Sequence, residues 1–333
     1  MTAALTRALG ALLSPAGGRA RLAVFSYHQV LQQADNLRRG EPDRARFLAD
    51  LEVIGRVFAV LPLPEAVERL QAGALPARAA CITFDDGYAN NYEFAAPSLE
   101  RAGLPASFFI AGDAVDRGVM WNDLIIEGAR IRGSNWIVEG LAELDQTPLE
   151  GDDAGKLVTR ILKLLKYQPL EKRWDLAEAF FRENTGRELP RLMMDRSMVA
   201  DLARRGFDIG GHTLHHPILK ELTDANARTE ITGCSRWIEE VTGRAARTFA
   251  YPNGIPGRDF GPEHAAMVEE AGFETAVTTR WSVAGPDTER YGIPRIGPWW
   301  RLGSSLALGF LRAYGGSYVK PAPTMNFRED IKN

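Results

Sequence analysis

Short apolar runs alternate with longer amphipathic stretches along this chain. The runs at 21–27 (RLAVFSY), 57–61 (VFAVL), 79–84 (AACITF), 105–110 (PASFFI), 207–211 (FDIGG), 247–251 (RTFAY), 275–279 (TAVTT) and 291–297 (YGIPRIG) read as strands. Between them, 43–54, 64–71, 92–102, 223–242 and 262–271 carry helical patterns. Strand and helix in alternation predict an α/β fold with a mostly parallel sheet.

One long region breaks that rhythm. From about 121 to 191 the pattern is helical and charged, as in DDAGKLVTRILKLLKYQPLEKRWDLAEAFFREN, and holds no convincing strand. It reads as a helical insertion packed over one end of the sheet, either a cap or lid or a stabilising appendage without a part in chemistry. There is no internal repeat, heptad run or low-complexity tract.

Bulk properties narrow the function classes. The 333 residues suffice for a large core, and 45% hydrophobic with 25% charged residues is an ordinary globular composition. A net charge of -3, with both signs interspersed, gives no electrostatic case for nucleic acid. No uncharged apolar run reaches the ~20 residues needed to span a bilayer. Two cysteines, one of them Cys81 in an apolar strand, build no disulfide framework. A reduced, cytoplasmic setting is therefore expected, with an exported or periplasmic one as the alternative. The opening MTAALTRALGALLSPAGGRARL has one early positive charge, Arg7, and an apolar stretch broken by Gly10, Ser14 and Pro15. It reads as a short amphipathic helix, packed or dangling, rather than a signal peptide. No protein partner can be inferred.

The candidate chemistry lies at predicted strand ends. Three of only five histidines fall in GGHTLHHP, directly after the strand FDIGG. On a helical turn His212 and His216 share a face and can grip one metal ion, with His215 pointing elsewhere; a structural cluster is the competing reading. Asp85 and Asp86, in CITFDDGYANN, follow a strand in the same topological position, where parallel sheets assemble sites from their carboxyl-end loops. One carboxylate can serve as a third ligand and the other as a general base beside the bound water. A helix-capping Asp-Asp-Gly turn is the alternative.

TFDDG followed more than a hundred residues later by HTLHH resembles the first two motifs of the polysaccharide deacetylases, the NodB-homology or carbohydrate esterase family 4 proteins. The resemblance covers about residues 20–115 and 195–300. It implies a distorted (β/α) barrel of about seven strands over 21–300, with the insertion at about 121–191, a separate N-terminal segment over 1–20 and a C-terminal extension over 301–333. It implies metal-dependent removal of acetyl groups, mainly N-acetyl, from a sugar or polysaccharide. By that likeness Asp85 is the general base, and Asp86, His212 and His216 hold a divalent metal ion, usually zinc.

Two parts of the family pattern differ. The third motif commonly reads Arg-x-Pro-Tyr, its arginine steadying the base and its tyrosine N–H binding the oxyanion. In RTFAYPNG the arginine position is Ala250 and the tyrosine position is Asn253, whose backbone N–H can still serve. Arg295, in the strand-like IPRIG, is a candidate to reach Asp85 from another direction; an ordinary structural or surface arginine is the alternative. The general acid in many relatives is a late histidine, yet none follows His264. Some relatives look circularly permuted, and His28, at the end of the first strand, is the candidate for that role. Trp121 and Tyr251 are the candidate substrate-binding aromatics, ahead of Trp281, Trp299 and Trp300. The rival functions are a catalytically impaired carbohydrate-binding relative and a hydrolase of small non-peptide amides.

Overall fold

The computed structural model describes residues 3–132 and 154–297. Eight strands form one sheet: β1 Leu22–Tyr27, β2 Ala59–Val60, β3 Ala79–Phe84, β4 Ser107–Ile110, β5 Asp208–Gly211, β6 Thr248–Ala250, β7 Thr275–Trp281 and β8 Ile293–Arg295. All neighbours pair in parallel in the order β1-β3-β4-β5-β6-β7-β8, while β2 pairs only with the first two residues of β3. The sheet curls back on itself beyond β8. Phe25 bridges Ile296 in parallel, Ser26 N–H donates to the Ile296 carbonyl at 3.0 Å, and Ile296 N–H donates to the Val24 carbonyl at 2.8 Å. The result is the expected (β/α) barrel, nearly closed, with seven parallel strands and surrounding helices.

Strand alternation divides the apolar side chains between two cores. Phe25, Ile82, Phe108 and Phe249 face the outer helices. Leu22, Val24, Cys81, Phe109, Val277 and Ile293 converge inside the barrel with helix Leu63–Gln71. The outer helices start where the sequence supplies caps. Asp43 accepts from the Arg46 N–H at 2.8 Å and opens helix Arg44–Val57, whose Phe47, Leu51 and Ile54 are buried. Thr223 caps helix Asp224–Thr242, and Asp195 caps Arg196–Arg204, a helix the pattern reading passed over. Gly210 has a steric reason to be glycine. A Cβ there would stand 2.3 Å from Thr248 Oγ1 and 2.6 Å from the Phe109 ring.

The predicted helix at 92–102 begins instead as a π-turn, Asn91–Ala95, before the α-helix Ala96–Ala102. This irregularity serves the barrel mouth, since Asn91 Nδ2 donates to the His28 carbonyl at 2.9 Å. Within the region 121–191 the described residues form helices Trp121–Arg132, Ala154–Lys166 and Leu170–Thr185, and 133–153 lie outside the described residues. The insertion packs around its own core, which includes Leu124, Ile125, Ile161, Leu165 and Phe181. At the other end of the chain, helix Ala3–Leu13 is tied down: the Ser14 hydroxyl donates to the Arg21 carbonyl and the Arg78 N–H donates to the Ser14 carbonyl. Among the described residues no helix is long and apolar enough to cross a membrane. Trp299, Trp300 and the segment 301–333 lie outside the described residues.

Candidate active site and metal centre

The carboxyl ends of β1, β3, β5, β6 and β8 deliver His28, the Asp85–Asp86 pair, His212, Asn253 and Arg295 to one mouth. Asp85 N–H extends the ladder by one bond to the Tyr27 carbonyl, at 2.9 Å. The chain then turns through Asp86 at φ 75° and Gly87 at φ 95°, which separates the two carboxylates. Among the described residues five non-glycine positions have positive φ, and four of them are Asp86, Thr213, His216 and Asn253. The left-handed region costs a β-branched residue such as Thr213 roughly 1–3 kcal/mol. Such strain concentrated at one mouth marks it as the functional end.

Asp86, His212 and His216 each offer a ligand atom within 4.8 Å of the others. Asp86 Oδ1 lies 3.4 Å from His212 Nε2 and 3.5 Å from His216 Nε2. Ligand atoms about 2.1 Å from a tetrahedral ion sit roughly 3.4 Å apart, so the set fits a zinc-like ion. The geometry does not come from a helical turn, however. Residues 212–216 form a loop, and its two left-handed residues, Thr213 and His216, bring the imidazoles together. His212 Nδ1 lies 2.7 Å from the Ala250 carbonyl, an acceptor that fixes the proton on Nδ1 and leaves the Nε2 lone pair available to a metal ion. Burial, with His212 alongside, pulls His216 down to about 3, so its ring is neutral and able to ligate. Burial pushes the Asp86 carboxyl up, but the hydrogen bond from His212 and the neighbouring His216 outweigh it and hold the group well below the usual carboxylate range. His215 turns away as expected, its Nδ1 2.7 Å from Glu230 Oε1.

Asp85 has a different partner. Arg295 Nη1 and Nη2 donate to Asp85 Oδ1 and Oδ2, each at 2.7 Å, while Nε donates to the Thr278 carbonyl at 3.0 Å. The guanidinium is only 2% exposed and arrives from β8, while Ala250 holds the position on β6. Burial pushes the Asp85 carboxyl up, and the charge and hydrogen bonds of Arg295 more than offset this. Asp85 is thus ionised but tethered.

His28 Nε2 lies 3.9 Å from Asp85 Oδ2, and its Nδ1 lies 4.0 Å from Glu41 Oε1. Burial lowers its pKa, but the negative charges of Glu41, Asp86 and Asp85 raise it further, so the net shift favours the protonated ring. Glu41, which the sequence reading missed, is itself held by the Gln29 N–H at 3.0 Å.

Asn253 joins Asp86, His216 and Trp121 in the wall of a cavity of about 220 Å³. No hydrogen bond among the described residues takes up its N–H. Trp121 is partly exposed and also borders a neighbouring cavity of about 550 Å³. Tyr251 corrects the expectation of a second exposed aromatic. It continues the alternation of β6, so its ring follows Phe249 into the outer core, stacks on Phe260 and donates its hydroxyl to the Tyr291 carbonyl at 3.1 Å. Trp281 likewise packs against that core.

Comparison with known proteins places this (β/α) barrel in a family. The polysaccharide deacetylase family model matches residues 72–276, more than half of the chain. The chain belongs to the polysaccharide deacetylase family, hydrolases that act on carbon–nitrogen bonds other than peptide bonds. No curated protein matches it. Among solved structures, the Streptococcus pyogenes deacetylase PplD in complex with acetate is similar at TM-score 0.56 and 14% identity, over 84% of this chain and 92% of that one. IcaB from Ammonifex degensii is similar at TM-score 0.54 and 20% identity, over 85% and 92%. The BpsB deacetylase domain from Bordetella bronchiseptica is similar at TM-score 0.53 and 17% identity, over 85% and 97%. At these identities the likenesses speak for the fold.

Proposed function

We propose that this chain is a metal-dependent N-deacetylase of an acetylated sugar or polysaccharide, releasing acetate and a free amine. The observation that carries the reading is the division of labour between neighbouring aspartates: Asp86 converges with His212 and His216, while Asp85 is clamped by Arg295. A donor set of one carboxylate and two imidazoles suits zinc or a related divalent ion. When bound, such an ion supplies Lewis acidity toward the acetyl carbonyl and toward water. Asp85 accepts a proton from the attacking water as the new carbon–oxygen bond forms. Arg295 acts as a positioning residue, holding both Asp85 oxygens in place. The Asn253 N–H donates to the carbonyl oxygen as it gains negative charge. His28 delivers a proton to the departing nitrogen as the carbon–nitrogen bond breaks, and Glu41 keeps that ring charged. Trp121 offers its ring to an apolar sugar face.

A binding-only relative would have no use for the Asp85–Arg295 clamp, which replaces the family arginine by another route. Acetate release from N-acetylglucosamine oligomers, with elemental analysis of each protein, tests the assignment. Asp85→Asn should retain metal and lose turnover by about a thousandfold or more, and His212→Ala should lose both. Full, metal-dependent turnover in either variant would overturn the roles.

A further inference from the structure

The insertion carries a buried cation that the reaction does not use. Arg173, on helix Leu170–Thr185, is 4% exposed. Its Nη2 donates to the His216 carbonyl at 3.3 Å and its Nη1 to the Lys166 carbonyl at 3.4 Å, both long bonds, and the guanidinium lies 4.9 Å over the Trp121 ring. No carboxylate among the described residues is within ion-pair reach. The acid that most influences it, Glu230, is already occupied, accepting from the Leu214 and His215 N–H groups at 3.1 and 2.8 Å and from the His215 ring at 2.7 Å. Burial lowers the Arg173 pKa to about 10, which still leaves it charged at neutral pH. A guanidinium has five donors, and a buried charge without a counter-charge is destabilising. A structure that tolerates one beside a cavity has a reason to present it.

The cavity is the one bounded by the metal ligands Asp86 and His216, by Asn253 and by Trp121, and Arg173 shares its wall with Lys166. We propose that Arg173, with Lys166 beside it, binds an anionic group on the substrate, so that the sugar taken by this site carries a phosphate or a carboxylate next to its acetamide. The planar fork of a guanidinium matches either oxyanion with two parallel hydrogen bonds. The insertion thereby contributes charge selection to a mouth whose chemistry comes from the barrel. This inference rests on the deacetylase reading for its acetamide and on Arg173 with Lys166 for its anion.

The test compares N-acetylglucosamine 1-phosphate, N-acetylmuramic acid and neutral N-acetylglucosamine. Acetate release is followed with metal-loaded enzyme, and calorimetric binding is measured in metal-loaded Asp85→Asn. Wild type should favour at least one charged sugar by about tenfold or more, the scale of one charge-assisted bond. The two charged arms separate phosphate from carboxylate as the source. Arg173→Met should weaken the charged sugars by about tenfold more than it weakens the neutral one, removing that preference, and Arg173→Lys should restore part of it. Equal weakening of all three sugars in Arg173→Met, or no preference in wild type, would overturn the proposal. Binding in the Asp85→Asn background decides the anion site even when no sugar yields acetate, an outcome that would instead remove the deacetylase reading. If Arg173→Met melts early, the wild-type preference and its reduction in Lys166→Gln decide the matter.

Discussion

The barrel mouth and the helical insertion meet around His216, yet they are built on opposite principles. At the mouth His28, Asp85, Asp86 and His212 lie within two residues of a strand end and Arg295 closes β8, while Asn253 and His216 sit three and five residues beyond β6 and β5. Ladder bonds fix the nearest of them, as with Asp85 N–H on the Tyr27 carbonyl. The acids there find partners within the barrel: Asp85 is ion-paired with Arg295, and Asp86 lies against the His212 and His216 rings. The insertion has its own small core and touches the mouth through side chains such as Arg173 and Trp121. On the proposed reading, reaction belongs to the barrel and selection to the insertion. A rigid parallel sheet can hold a proton-transfer geometry, whereas an appended helical layer can change its lining without disturbing that geometry.

The largest effect is expected at Arg295. Arg295→Met leaves Asp85 as an uncompensated buried charge, which should cost roughly 3–5 kcal/mol of stability, measured by denaturant unfolding. The sign with pH follows from the same pair. Arg295 holds the Asp85 pKa below its ordinary value, so in wild type the stabilisation is present above the unfolded carboxyl pKa and fades as pH falls through the folded one. Without Arg295 the Asp85 pKa rises, and the acidic limb of the pH–rate profile should move to higher pH. An unchanged limb and unchanged stability would mean that the clamp does nothing.

A gentler change sharpens the other half. Ile161 is fully buried in the insertion core, and Ile161→Ala should cost roughly 2–5 kcal/mol there. Its expected effect on catalysis is a rise in KM of about fivefold, equivalent to ~1 kcal/mol of binding, with metal content and kcat preserved. Loss of bound metal in this variant would contradict the separation of the two regions.

Much of the mouth could be read from the sequence because its residues sit at the ends of apolar runs. All eight candidate strands appear in the fold, and so do Asp85, Asp86, His212 and His216 at their carboxyl ends. The local route was misread at 212–216, where helical spacing suggested a turn of helix. A β-branched threonine argues against a left-handed backbone and histidine is only modestly enriched there, so the surrounding structure imposes both conformations. Tyr251 was misplaced because the motif drew attention away from strand alternation, which carries its ring inward with Phe249. Glu41 and Arg173 left no readable signal. Their importance comes from contacts across the fold, such as Arg173 with the His216 carbonyl 43 residues away, and single-sequence periodicity does not report these.

On the proposed reading one divalent ion, held by Asp86, His212 and His216, is required for a proton transfer centred on Asp85. The most direct test of that requirement is acetate release while zinc is titrated into chelator-treated protein, with bound metal counted at each point. Activity should start near zero, climb in proportion to bound metal and level off at one ion per chain. Full acetate release from metal-free protein, or saturation with no ion retained, would contradict it.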